Sequence, residues 1–392
     1  MISLSRYRAL LAVPDVQQAF VVSFIGRIPI GIAGLAILLL VQGVDGSYAQ
    51  AGAAAATYVA GLAAAAPLLG RMIDRVGPRR VLTACALIYP SALTMLIAAV
   101  LLRAPAAATL TFAAIAGASF PPVTACQRAW LRQKLGDDVL LTAALSLDAL
   151  VVELVFIAGP LLVALLVATI SPAAAVGAAA LCGLLGSLQF TRARALRSWQ
   201  MAARRSGPFV GPLAEPRFAL LLALVTGYAS VFGLVEIGVA AYAAGVGHPA
   251  LAGVLLGVMS AGSAAGALAY GSRHWRTPLP LQFSRSLALM GLGVAPLALA
   301  DHLALFAVFC LLSGIAMTPT LIIQSTLVAK SVRPEYATEG FTWSATALLA
   351  GVSVGLAAGG LLLEHARVDL VFWAATALGV AMAILARLTL RL

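Results

Sequence analysis

Four charged residues lie inside long apolar stretches of this sequence: Arg27, Asp148, Glu153 and Glu236. A charged side chain in apolar surroundings is costly, so such residues are usually either paired or functional. At 1.5 Å of rise per helical residue, Arg27 lies about 12 Å and Asp148 about 13 Å from the basic ends of their segments. These matching depths predict an intramembrane ion pair between Arg27 and Asp148.

Glu153 and Glu236 have no evident basic partner at their own depths, which are about 21 Å and about 28 Å. A carboxyl group without a partner in a low dielectric is suited to binding and releasing a proton near neutral pH. Glu153 and Glu236 are therefore the main candidates for proton coupling, with Glu153 ahead because its depth is closer to the middle of the membrane, and Asp148 is the third. Two other interpretations stay open: each glutamate hydrogen-bonds locally in its protonated form, or Glu236 contacts only a cationic solute.

The composition places these residues in a membrane. The 392 residues are 62% hydrophobic and 10% charged, and the mean hydropathy is +1.02, whereas soluble domains carry roughly 25% charged residues. A helix that crosses the bilayer core needs about 20 apolar residues. Twelve stretches qualify: 19–42, 49–70, 79–102, 107–128, 139–168, 173–191, 217–242, 248–271, 281–300, 303–328, 338–362 and 368–388.

Three features of these stretches carry further predictions. The first is too long for a signal peptide and contains Arg27, so we expect an uncleaved span. Pro121 and Pro122 interrupt the fourth span, and Pro319 interrupts the tenth. Paired discontinuities of this kind can mark a binding region near the middle of the membrane, although tolerated kinks would give the same pattern.

The basic residues predict the orientation. With the N-terminus in the cytoplasm, the inner segments hold all but three of the 25 lysine and arginine residues. The exceptions are Arg27 within the membrane and Arg103 and Arg367 in outer loops. The positive-inside rule then predicts a multi-pass protein with both termini cytoplasmic. Only two lysines against 23 arginines, together with abundant alanine, are typical of a GC-rich bacterial genome, so the expected location is a bacterial cytoplasmic (inner) membrane. Because the basic residues form short clusters between spans, nucleic acid is not expected as a partner.

An internal repeat divides the chain. A shift of 201 residues aligns 51–75 with 252–276 and superposes Gly52, Gly61, Gly70 and Arg75 on Gly253, Gly262, Gly271 and Arg276. The prediction is an all-α integral membrane protein with twelve transmembrane helices in two pseudo-symmetric six-helix bundles. The expected boundaries are 1–191 for the N-terminal bundle, 192–216 for a cytoplasmic linker and 217–392 for the C-terminal bundle.

The loop between the second and third spans reads Gly70-Arg71-Met72-Ile73-Asp74-Arg75-Val76-Gly77-Pro78-Arg79-Arg80. This segment resembles the signature loop of the major facilitator superfamily, G-x-L-a-D-r-x-G-r-k. The positions in register are Gly70, Asp74, Arg75, Gly77 and Arg79, while Pro78 stands where a basic residue is usual. The segment 158–162, Ala-Gly-Pro-Leu-Leu, resembles part of the glycine-proline motif of the antiporter branch, but its flanking glycines are missing.

The resemblance implies a gate at the signature loop. Asp74 would face the positive N-terminal end of the eleventh helix. Arg75 and Arg79 would pair with Asp137 or Asp138, and these contacts together would latch the cytoplasmic side shut. The alternative is an ordinary positive-inside loop.

The resemblance also implies a central cavity between the first, fourth, seventh and tenth spans. The polar groups on these spans are Arg27, Ser119, Thr124, Tyr228, Glu236, Thr318 and Gln324. So few polar groups among apolar side chains would suit a lipophilic or amphipathic small molecule better than a sugar. The family's usual state implies a monomer.

Other classes of function lack the residues they need. No G-x-x-x-x-G-K-[ST] motif is present for a primary pump, and no C-x-x-C or H-E-x-x-H pattern suggests a metal, so no cofactor is expected. An intramembrane hydrolase using Asp148 and Glu153 would lack a nucleophile motif. We expect a secondary transporter rather than an enzyme, exporting a small organic molecule in exchange for protons by alternating access. Uptake or export of a sugar or other small polar metabolite is the alternative, and a non-transporting membrane binding protein is a more distant one.

Overall fold

The computed structural model describes residues 10–13, 15–135, 138–197, 215–271, 275–331, 337–365 and 367–390. All regular secondary structure in these ranges is helical. Twelve helices correspond to the predicted spans: α1 (Val16–Asp45), α2 (Tyr48–Val76), α3 (Pro78–Leu101), α4 (Ala106–Ala118, then Val123–Lys134), α5 (Asp138–Thr169), α6 (Pro172–Arg192), α7 (Pro216–Gly245), α8 (Leu251–Gly271), α9 (Leu279–Val294), α10 (Leu303–Gly314, then Met317–Ser331), α11 (Ala337–His365) and α12 (Val368–Thr389).

Local sequence explains the short connections between helices. α1 ends at Gly46, whose φ of 72° is left-handed, and its amide donates to Gln42 O, a common way to terminate a helix. Ser47 then caps α2 by accepting a hydrogen bond from the Gln50 amide at 3.2 Å. Ser171 caps α6 in the same way, which places Pro172 at the first helical position where its missing N–H is harmless.

Ten stretches of these helices are long and apolar enough to cross a membrane among the residues described. The other two helices are α5, with a shorter apolar stretch at Leu154–Thr169, and α9, which continues into the 3₁₀ turn Ala295–Leu299. The predicted linker holds the one-turn helix Arg194–Arg197. Residues 198–214 lie outside the described residues, so the expected domain boundaries stay predictions.

Two helices are broken, and one break differs from the prediction. α4 is interrupted between Ala118 and Val123, at the predicted Pro121-Pro122 pair. α10 breaks at Ile315–Ala316, and Pro319 lies inside its second segment. The reason is that a proline removes the hydrogen bond to the carbonyl four residues earlier and its ring crowds that carbonyl. For Pro319 that residue is Ile315, so the discontinuity lies one turn before the proline.

The two halves repeat the same close packing. A Cβ atom on Gly61 of α2 would lie 2.4 Å from Ala114 O of α4, and one on Gly262 of α8 would lie 1.9 Å from Leu311 O of α10. Both distances are far below contact distance, so these positions require glycine for their helices to approach. The glycines that the repeat superposed therefore have the same packing role in each half.

α1 and α7 occupy the middle of the molecule. Their side chains are buried over most of their length, including Ile37 and Leu38 on α1 and Val235 and Ile237 on α7. Helices that are apolar on all sides are expected to be buried on all sides. Exposed leucines lie instead on other helices, such as Leu87 on α3, where lipid is the expected neighbour.

Candidate functional site

The helices end on two faces that differ in charge. The arginine-rich face carries Arg75, Arg79, Arg276 and Lys330, and the arginine-poor face carries Arg103 and Arg367. The interiors of the spans and the junction between the two bundles lie between these faces. The candidate site consists of the polar side chains in that region.

Close contacts join the halves toward the arginine-poor face. A Cβ on Gly52 of α2 would lie 2.5 Å from Leu356 O of α11, and one on Gly253 of α8 would lie 2.0 Å from Pro160 O of α5. Ser353 of α11 also donates to Ala56 O of α2 at 2.8 Å. Gly52 and Gly253 are superposed by the repeat, so the closure follows the pseudo-symmetry.

α2 is packed less closely at its arginine-rich end. A Cβ placed on Gly70 of α2 would meet no described atom within 4 Å, whereas one on Gly52 would lie 2.5 Å from Leu356 O. The contacts at Gly52 and Gly253 therefore indicate a conformation in which the two halves are closed toward the arginine-poor face.

Arg27, Asp148 and Arg128 form a charged cluster between α1, α5 and α4. Arg27 Nη2 pairs with Asp148 Oδ1, and Arg128 Nε donates to Asp148 Oδ2 at 2.6 Å. The Arg27 and Asp148 side chains are buried, whereas that of Arg128 is 48% exposed. One carboxylate thus faces two guanidinium groups, and the cluster carries a net positive charge.

Several polar atoms near this level of the N-terminal half have no hydrogen-bond partner in the described part of the chain. They are Nε and Nη1 of Arg27, both side-chain polar atoms of Gln127, and Oγ of Ser187. Buried polar atoms are normally satisfied by protein or water, so each exception calls for an explanation. α1 and α6 are in close contact here, because a Cβ on Gly186 would lie 2.2 Å from Gly26 N.

Glu236 lies where the two halves meet. Its Oε1 would be 3.3 Å from a Cβ on Gly34 of α1, so its side chain crosses from the C-terminal half to the N-terminal half. The neighbouring Ile237 packs against Gly52 at the closed junction. Among the residues that the structure describes, Glu236 has no ion-pair partner, in contrast to Asp148.

Three of the four predicted polar residues of the C-terminal half, Tyr228, Thr318 and Gln324, already make side-chain hydrogen bonds within that half. The Tyr228 hydroxyl donates to Gln324 Oε1, and Gln324 Nε2 donates to Ser344 Oγ at 2.6 Å. The Thr318 hydroxyl shares a hydrogen bond with Ser263 Oγ. Tyr228 and Gln324 are buried, so this chain links α7, α10 and α11 and uses hydrogen-bonding capacity that the sequence had assigned to a cavity.

In the N-terminal half, Ser119 and Thr124 flank the break in α4. The buried Ser119 donates to Ile115 O at 2.6 Å, within its own helix, and Thr124 is half-buried one residue into the second segment. The side chain of Glu153 lies outside the described residues, although α5 runs through its position. Its role stays a prediction.

The signature loop forms a sharp corner between α2 and α3. Gly77 has a φ of 88°, a conformation that favours glycine, and Pro78 starts α3. Arg75 and Arg79 are exposed and make no ion pair with any described residue. The side chain of Asp74, all of Asp137 and the side chain of Asp138 lie outside the described residues. The predicted latch therefore stays untested.

Arg128 and Gln127 are the residues that sequence reasoning missed. Arg128 was counted among the basic residues of a cytoplasmic loop, because the fourth span was expected to end there. α4 in fact continues to Lys134, which places both side chains within the helix bundle. The sequence feature that could have identified these two residues is that a polar pair, Gln127-Arg128, ends an otherwise apolar span.

A family comparison agrees with this architecture. The model of the Major Facilitator Superfamily matches residues 19–349. The chain belongs to this superfamily. Membership makes it a multi-pass membrane transporter and indicates a small-molecule substrate, and the expected twelve-helix fold in two bundles is confirmed.

Solved structures of other superfamily transporters share the fold at low identity. The nucleoside transporter NupG matches with a TM-score of 0.76 and 15% identity, over 97% of this chain and 100% of that one. The human organic anion transporter MFSD10 (TETRAN) gives 0.65 and 17%, over 95% and 99%. A POT family transporter in complex with a thioalcohol-conjugated peptide gives 0.74 and 11%, over 94% of each chain. No curated protein sequence matches the chain.

Proposed function

We propose that this superfamily member is a proton-coupled secondary transporter that exports a small organic molecule by alternating access. Its arginine-rich face is cytoplasmic in a bacterial inner membrane, both termini lie on that side, and the protein works as a monomer. The observation that supports proton coupling is Glu236, a carboxyl group without an ion-pair partner among the described residues that packs against Gly34 across the two halves.

Packing at this junction links protonation to conformation. Closing the arginine-poor end brings α1 and α7 together around Glu236 and removes water from its carboxyl group. Burying an unpaired carboxylate costs roughly several kcal/mol more than burying the neutral acid. A proton taken up from the outer side therefore favours closure there, because a ligand shifts a two-state equilibrium toward the state that binds it better.

The charged cluster supports a complementary role on the other side. Arg128 is half-exposed and bonded to Asp148, and Asp148 in turn holds the buried Arg27. In the conformation open to the arginine-rich face, a solute would bind near this cluster. Its binding would change the electrostatic potential at the carboxyl groups of Asp148 and Glu236 and so promote proton release to the cytoplasm. Asp148 and Glu153 are retained as secondary coupling candidates.

The apolar composition of the central helices supports a lipophilic or amphipathic solute. A polar solute is the second candidate, since Arg27 and Gln127 carry buried polar atoms without a hydrogen-bond partner in the described part of the chain. The structurally similar transporters are described as carrying nucleosides, organic anions or peptides, so polar compounds are included in the transport experiment.

The experiment uses purified protein in vesicles with an internal pH dye and an imposed proton gradient. A panel of lipophilic cations, organic anions, nucleosides and sugars is added one compound at a time to wild type, Glu236→Gln and Glu215→Gln. Glu215 is the matched control, because it is exposed at the start of the same helix and its side chain caps no amide.

We expect at least one compound to dissipate the gradient in wild type and in Glu215→Gln, but not in Glu236→Gln. A compound that moves without a proton signal in wild type would instead identify a uniporter or a different coupling ion. A labelled solute that accumulates on the side to which protons flow would identify symport, as expected for uptake, instead of exchange.

A further inference from the structure

A pocket opens on the C-terminal half, away from the junction between the bundles. It lies between α8, α9 and α10 at the arginine-rich face and has a volume of about 290 Å³. Its wall includes Tyr270 and Trp275 at the end of α8 and just beyond it, Arg285 and Leu289 on α9, and Pro319 on α10. Ligand pockets for drug-sized molecules span roughly 300–1,000 Å³, so this one suits a chemical group of headgroup size.

Most polar groups in the pocket are already bonded to one another. Tyr270 donates to Gln282 Oε1 at 2.6 Å, and Gln282 Nε2 donates to Thr277 O at 2.6 Å. Trp275 stacks on Tyr270 with ring centroids 5.2 Å apart, and its indole N–H donates to Tyr270 O at 3.0 Å. These bonds build a preformed wall and leave Arg285 as the charged group among the described residues that line the pocket.

Arg285 has no counterion in the described part of the chain. It is exposed, it makes no ion pair with any described residue, and none of the described residues that line the pocket is acidic. It lies six residues into α9, or about 9 Å from the start of the helix. A guanidinium at that depth reaches the headgroup region by extending its side chain toward the interface.

An apolar stripe continues from Arg285 toward the bilayer centre. Leu289 and Leu292 follow at positions four and seven residues later, on the same face of α9. They are 60% and 59% exposed. A molecule with an anionic head at Arg285 and a hydrocarbon chain along this stripe would match both ends of the site. The stacked Tyr270 and Trp275 are residue types enriched at the membrane interface.

We propose that this pocket binds the headgroup phosphate of an anionic phospholipid, with an acyl chain lying along Leu289 and Leu292. Basic pockets between transmembrane helices on the cytoplasmic side are a known physical basis for such recognition. The site does not depend on the transported solute. Bound lipid would stabilise α8, α9 and α10 against one another.

Native mass spectrometry of delipidated protein in detergent tests the proposal by titration with phosphatidylglycerol, with phosphatidylcholine of the same chains, and with soluble glycerol 3-phosphate. The variants are Arg285→Gln, Arg285→Lys and, as matched control, Arg387→Gln. Arg387 is an exposed arginine in the last turn of α12 and does not line the pocket.

We expect wild type and Arg387→Gln to retain phosphatidylglycerol in preference to phosphatidylcholine. Loss of one charge-assisted contact should weaken that binding roughly tenfold or more in Arg285→Gln. Arg285→Lys, which keeps the charge, should retain most of the preference and guards against misfolding as the cause of a loss.

Three results would overturn the proposal. Equal phosphatidylglycerol binding by wild type and Arg285→Gln would show that Arg285 does not bind the headgroup. Equal weakening of binding by Arg387→Gln would show that diffuse surface charge, and not this pocket, attracts the lipid. Displacement of the lipid by glycerol 3-phosphate at comparable concentration would show a site for a soluble anion rather than for a phospholipid.

Discussion

Replacing Asp148 by leucine removes the carboxylate that two arginines share, and the consequence depends on how far each arginine is buried. Arg27 would remain fully buried without a counter-charge, whereas the side chain of Arg128 is 48% exposed and would be hydrated. Breaking a buried pair by removing one partner costs about 3–5 kcal/mol. We expect a loss of that size in the apparent free energy of unfolding for Asp148→Leu.

Substitutions of the two arginines in the cluster should lower the free energy of unfolding by less. Arg27→Met leaves Asp148 still bonded to Arg128 at 2.6 Å, so its cost should fall below that of Asp148→Leu. Arg128→Gln leaves the buried pair intact and removes a contact whose guanidinium is half-exposed, so its cost should be the smallest of the three single variants. The double variant Arg27→Met/Asp148→Leu replaces the pair by apolar side chains and should recover most of the stability lost by Asp148→Leu alone.

Unfolding in mixed micelles, followed by tryptophan fluorescence, measures the free energies of unfolding of these four variants under one condition. The predicted order of cost is Asp148→Leu, then Arg27→Met, then Arg128→Gln, with strong coupling in the double variant. If Arg27→Met cost as much as Asp148→Leu, or if the two losses simply added, the isolated charge of Arg27 would not be the main cause of the lost stability. Either result would refute the reasoning.

Three further predictions concern the junction, the C-terminal polar chain and the signature loop. Gly253→Val should disfavour the conformation closed at the arginine-poor face, because its Cβ would lie 2.0 Å from Pro160 O; spin-label distances across that face should lengthen, and unchanged distances would contradict the assignment. Tyr228→Phe leaves the buried Gln324 Oε1 without its donor and should cost about 1–3 kcal/mol, measured by the same unfolding assay; no change would mean that water replaces the hydroxyl. Asp74→Asn should slow transport while leaving thermal stability of this conformation unchanged, and an unchanged transport rate would count against the latch.

The fold could be predicted because transmembrane helices have a simple sequence pattern, a long run of apolar residues. Length and apolarity located all twelve helices, and the glycines at Gly52 and Gly253 located equivalent halves. Depth along two helices was enough to match Arg27 with Asp148, since the rise per residue is fixed. Their contact in the structure is a consequence of that regular geometry.

The remaining features depend on contacts that one-dimensional patterns do not record. Arg128 joins the cluster only because α4 continues past the predicted end of its span. Tyr228 and Gln324 were expected to be separate cavity groups, but their helices bring them into a hydrogen bond with each other. The pocket around Arg285 needs three helices at once, and no motif marks it.

Proton coupling at Glu236 is the central claim, and one vesicle preparation of Glu236→Gln tests it most directly. Solute exchange across the membrane without a gradient is measured first, and accumulation driven by a proton gradient is measured second. The account predicts exchange near the wild-type rate, because the helices still alternate, and no gradient-driven accumulation, because no proton is carried. Accumulation at the wild-type level in Glu236→Gln would contradict it and would place coupling at another group.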